Sequence, residues 1–228
     1  MTVRQVAGAV AALVVAVAPA GRAGDLVAEG ARWWRVSPDP ANPVACVTCH
    51  DDAGATGAWA ASFPKVRPLP PPHSRVMTLL QANAEAVRLH YRLPDPRPAA
   101  TAITAFLTEL GADRPVTPGR AAGQPVFPHR ITRLRMSVER GERLFARRCG
   151  RCHRPAVAAE RAPAFPRLRD GRAESLESFL EDHYPHPLDA RLSWGSPPVA
   201  DLVAALMARL RGQPLGVPAI AAQREKSP

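Results

Sequence analysis

The sequence has few cysteines, methionines or aromatic residues: four Cys, four Met, four Trp, two Tyr and six Phe in 228 positions. With aromatics at 5%, neither half can build a core from large side chains alone. Long apolar runs are equally scarce. The one clear run, Val6 to Val17, follows the basic Arg4 and falls short of the roughly 20 residues of a spanning helix. Ala18-Pro19-Ala20 and Gly21-Arg22-Ala23 then offer the small residues that a signal peptidase reads. Residues 1–23 are therefore expected to be a secretory signal, with the mature chain starting near Gly21 or Gly24 and located in the periplasm. Left uncleaved, the same segment would anchor the chain to a membrane.

Period-two alternation is missing throughout, so the chain is expected to be mostly α. Helical periodicity is expected over Asp25–Trp34, Val76–His90, Ala99–Leu110, a segment opening at Ser137, Glu174–Asp182, and a terminal helix with Val199, Leu202, Val203, Leu206 and Leu210 as its buried stripe. Gly111 is placed to end the third of these in a left-handed cap. Proline, 26 residues in all, concentrates between them. The Phe63–Pro72 stretch reads as a loop, and Asp113 to Pro128 lacks periodicity and reads as an interdomain linker.

All four cysteines fall in two identical patterns, Cys46-Val47-Thr48-Cys49-His50 and Cys149-Gly150-Arg151-Cys152-His153. Nothing is left over for a disulfide or a free nucleophilic thiol. Cysteines spaced by two residues sit one turn apart, where both thiols can add to the vinyl groups of a haem, and the adjoining histidine can then bind its iron. Cys46, Cys49, Cys149 and Cys152 are thus the expected attachment points of two haem c groups, and His50 and His153 the proximal iron ligands. A thioredoxin-like redox pair or a four-cysteine zinc site needs no histidine after each pair, and no βαβ pattern surrounds either one. A porphyrin would also supply the apolar bulk that the aromatics do not.

The formal charge is +10. Its residues are scattered among prolines rather than gathered in one tract, which together with export argues against nucleic acid. Haem propionates and an acidic docking surface on a periplasmic or membrane-bound redox partner are the better counter-charges.

The stretch Gly141-Glu142-Arg143-Leu144-Phe145 before Cys149–His153, closed by Asp201-Leu202-Val203-Ala204-Ala205-Leu206, resembles class I cytochrome c domains. The resemblance implies that the helix before the motif crosses the terminal helix, with Gly141 and Phe145 at the crossing. The first half looks like a more divergent module. Its Phe63-Pro64-Lys65 and Val76-Met77-Thr78-Leu79 resemble the dihaem subunit of periplasmic thiosulfate-oxidising cytochromes. Catalytic members of that family place a cysteine thiolate on iron, a ligand this sequence has no cysteine to provide. The expected architecture is two tandem cytochrome c-like helical haem domains, 24–112 and 131–213, joined by a linker at 113–130 and followed by a disordered tail at 214–228.

The sixth iron ligand separates an electron carrier from an oxidoreductase of the sulfur-compound or peroxidase type. Residues 154–198 hold no methionine, and Met207 lies within the terminal helix. His183, ahead of His186 in the same interval, is the candidate distal ligand of the second haem. For the first haem the candidates are Met77 and His90, with His73 in a proline-rich stretch. Trp33, Trp34, Trp59 and Trp194 are expected to pack against porphyrin or core.

Overall fold

The computed structural model describes residues 23–67, 74–121, 123–162, 165–183 and 192–215. The expected signal segment lies outside these residues except at its last position, as do His73, His186 and the tail beyond residue 215. Among the described residues no helix is long and apolar enough to cross a membrane.

The chain is mostly helical. The first half contains α1 (Ala23–Arg35), a 3₁₀ turn at Cys46–Thr48, α2 (Ala53–Ala61), β1 (Lys65–Arg67), β2 (Arg75–Met77), α3 (Leu79–Ala86) continuing into a π-helical turn at Val87–Tyr91, and α4 (Arg97–Leu110). The second contains α5 (Pro128–Arg148), α6 (Pro155–Arg161), β3 (Arg167–Arg169), β4 (Arg172–Glu174), α7 (Leu176–Glu181) and α8 (Pro197–Arg209). Each half carries one two-stranded antiparallel hairpin.

Both halves are organised on a crossing of their first and last helices, α1 against α4 and α5 against α8. Glycine makes each crossing possible. A Cβ on Gly30 would overlap the Ala102 carbonyl, and one on Gly141 the Asp201 carbonyl. Each glycine is followed four residues later by a buried aromatic ring, Trp34 at 6% exposure and Phe145 at 6%, so Gly141 and Phe145 sit where the resemblance placed them. At the second crossing the fully buried Ser137 hydroxyl and the Arg140 guanidinium both donate to the Asp201 carboxylate, Arg140 through two bonds of 2.7 and 2.8 Å.

Several elements differ from expectation. The expected helix Val76–His90 begins as strand β2, because Thr78 caps α3 with a reciprocal box in which its hydroxyl accepts from the Gln81 N–H. Helix α5 starts well before Ser137, at Pro128 in its first turn, and Ser137 is a buried mid-helix partner of Asp201 instead of a cap. Gly111 follows α4 with φ −90°, outside the left-handed region. The Pro/Gly-rich stretch at 113–130 packs closely: Val116 is fully buried, its N–H donates to the Gln213 carbonyl, and Thr117 and Gly119 donate to the carbonyls of Ala61 and Ser62. Pro214 and Leu215, assigned to the tail, bridge to Pro115 and pack in the core.

The two halves meet at a buried carboxylate. Glu177 at the start of α7 is 2% exposed and accepts from the Thr78 hydroxyl, the Gln81 amide at 3.4 Å and the Gly195 N–H at 3.1 Å. Burial pushes its carboxyl pKa up, opposed by the Thr78, Gly195 and Gln81 hydrogen bonds and by the Arg75 charge.

Candidate haem sites

The second motif follows directly from α5. Cys149 is the helix C-cap, its N–H donating to the Phe145 carbonyl, and the His153 N–H closes the turn on the Cys149 carbonyl at 2.8 Å. The turn faces a cavity of about 530 Å³ whose walls include Phe145, Leu202 and Leu206 from the helix crossing, Phe179 and Leu180 from α7, and His183 just beyond α7. That volume lies inside the roughly 300–1,000 Å³ range of small-molecule and cofactor pockets. The His153 and His183 rings stand with centroids 5.9 Å apart and planes at 88°. Among the described residues the buried His183 Nδ1 has no hydrogen-bond partner, and Phe179 holds the ring from its edge at 5.3 Å. A buried polar nitrogen without a partner is costly in a purely protein setting. These residues fit a haem: Cys149 and Cys152 could attach it, and His153 and His183 could serve as iron ligands.

The first motif forms a tighter turn, Cys46–Thr48, with the His50 N–H donating to the Cys46 carbonyl at 3.0 Å. Its cavity, about 180 Å³, is lined by Trp34, Trp59, Asn83, Ala86, His90 and Tyr91 among others. His50 lies between two indoles, 5.6 Å from Trp34 and 5.9 Å from Trp59. Burial and the nearby Arg67 charge lower its pKa. Tyr91 donates to the Trp33 carbonyl at 2.6 Å and lies 3.2 Å from Cys46 Sγ. Burial raises the pKa of the Cys46 and Cys149 thiols, partly offset at Cys46 by Tyr91. Trp33 stacks on Tyr91 at 6.4 Å, whereas Trp194 packs against the α3–α4 core.

Of the distal candidates at the first site, His90 lines the cavity from the π-helical turn with its side chain exposed. Met77 is 1% exposed, sits in β2 and is not among the residues lining this cavity. Met207 packs half-buried against the second core.

The halves correspond residue by residue around the hairpins. Phe63-Pro64-Lys65-Val66-Arg67 matches Phe165-Pro166-Arg167-Leu168-Arg169, and the cap Thr78 before α3 matches the cap Ser175 before α7. Counted from those caps, the position of His183 is held in the first half by Ala86, which lines the His50 cavity. The match also exposes Lys65, Arg67 and Glu177, three functional candidates that motif reading passes over.

A mostly helical, cytochrome c-like fold carrying two Cys-x-x-Cys-His turns is thus in view. Among solved structures the chain is similar to SoxXA from P. pantotrophus, with a TM-score of 0.61 at 16% identity over 85% of this chain and 76% of that one. The sequence matches no family model and no curated protein sequence.

Proposed function

We propose that this chain is an exported c-type cytochrome that holds two haems covalently, on Cys46/Cys49/His50 and Cys149/Cys152/His153, and passes single electrons between redox partners. The observation that carries the reading is the His153–His183 pair, both rings lining a cavity of about 530 Å³, with a His183 nitrogen that has no partner among the described residues. Haem supplies one-electron chemistry when bound, and two histidine ligands favour a low-potential carrier. The chain's own part is to exclude water with Phe145, Phe179, Leu202 and Leu206, and to fix both imidazoles. The basic chain suits a partner with an acidic docking surface in the periplasm, and membrane association follows only if the N-terminal segment is retained.

The first site supports a second reading, a dihaem oxidoreductase acting on sulfur compounds or peroxide. Ala86 offers no ligand where the second half has His183, which leaves His90 as the candidate in the cavity wall. Paramagnetic resonance spectra of the ferric holoprotein, and carbon monoxide titration of the ferrous form, separate the two. A carrier has two low-spin irons and binds little carbon monoxide, whereas an oxidoreductase binds it at one iron. Carbon monoxide binding at both irons would contradict the carrier reading.

A further inference from the structure

The duplicated hairpins differ in charge compensation. In the second half Arg167 pairs in register with Glu174 and bonds its carboxylate at 2.8 Å, while Arg169 reaches the same carboxylate at 3.2 Å. In the first half the register partner of Lys65 is Met77. Where the second hairpin has a carboxylate the first has a thioether, and both matching cations are present.

Lys65 is held without a counter-ion. Its ammonium donates to Ser62 Oγ at 2.7 Å and lies 4.7 Å and 4.4 Å from the Trp59 and Phe63 ring centres. Arg67 also lies over the Trp59 ring, 5.9 Å from its centre. Both line a cavity of about 210 Å³, together with Arg120 and Arg130, and this cavity shares Trp59 and Arg67 with the one at His50. Among the described residues none of these four cations pairs with a carboxylate. Burial, then the Arg67 charge, pushes the Lys65 amine down to about 7. Lys65, Arg67 and Arg130 are half-buried and Arg120 is exposed, and cations gathered around one cavity in this way attract an anion.

We propose that Lys65, Arg67, Arg120 and Arg130 form an oxyanion-binding site beside the His50 pocket, taking a carboxylate or a small tetrahedral oxyanion. Two sources share that chemistry: a propionate of the haem at His50, which rests on the functional reading above, and a free inorganic anion, which does not.

The test is titration of the purified holoprotein with sodium sulfate at low ionic strength, followed calorimetrically with a chloride control. If the anion is free, sulfate binds, and Lys65→Met and Arg120→Ala weaken it roughly tenfold or more while Lys65→Arg retains it. If the anion is a propionate, sulfate does not bind, but Lys65→Met lowers the midpoint potential of one haem and leaves the other unchanged. Exposed Arg120 and the variant Arg67→Gln read the same two outcomes should Lys65→Met not fold. Absence of both effects overturns the proposal. The intact mass reports separately whether Cys46 and Cys49 carry haem, so failure of the haem reading shows as a missing adduct.

Discussion

His183 presents its ring to His153 across 5.9 Å and nearly at right angles, with its Nδ1 buried and, among the described residues, without a hydrogen-bond partner. On the proposed reading His153 and His183 would both be ligands of the second haem iron. Replacing His183 by Ala should therefore convert one of two low-spin ferric signals to high spin and leave the other unaltered. Optical and paramagnetic resonance spectra check this, and an unchanged pair of low-spin signals would remove His183 from the iron.

The close helix crossings give a second expectation. Gly141→Val places methyl groups against the Asp201 carbonyl and Ala205, so α5 and α8 must separate. Overpacking of this kind costs about 1–3 kcal/mol, occasionally more, measured as a lowered urea midpoint with little change in slope. Gly30→Val should behave alike at the α1–α4 crossing, since its Cβ meets Ala102 and Phe106 in the same way.

Asp201 ties the same crossing by accepting from Ser137 and Arg140. Asp201→Ala leaves the fully buried Ser137 hydroxyl without this acceptor, at a cost of about 1–3 kcal/mol. The double variant with Ser137→Ala should recover part of that loss in thermal unfolding, because no buried hydroxyl then remains unpaired.

Glu177 makes stability depend on pH at the junction of the halves. Its carboxyl pKa is raised in the folded protein above the ordinary 4.5, so the folded state holds its proton more tightly than the unfolded one. Its contribution is full below about pH 4.5 and is lost as pH rises from there to the folded-state pKa. Glu177→Gln should flatten this part of the stability–pH curve measured by denaturant unfolding. A steeper curve in the variant would contradict the assignment.

Much of this organisation is legible in the sequence. The stripe Val199-Leu202-Val203-Leu206 and the crossing residues Gly141 and Phe145 each rest on a short local pattern, and all are found in their expected helices. The hairpins escape because three-residue strands are too short to alternate visibly, and the proline-rich Phe63–Pro72 stretch reads as loop. The repeated Phe-Pro-basic-aliphatic-Arg string is the one signal that marks both. The 113–130 stretch misleads for a different reason: its prolines suit an extended path over a surface as well as a flexible linker, and only backbone bonds to Ala61, Ser62 and Gln213 distinguish the two. Glu177 carries no sequence signal, since its buried partners Thr78 and Gln81 come from the other half.

The intact mass of the purified protein, read beside variants in which Cys46 and Cys49, or Cys149 and Cys152, are replaced by Ala, tests the central claim most directly. Two covalent haem additions are expected in the native chain, with one lost in each double variant. A native mass equal to that of the bare polypeptide, or a double variant that keeps both additions, would contradict it.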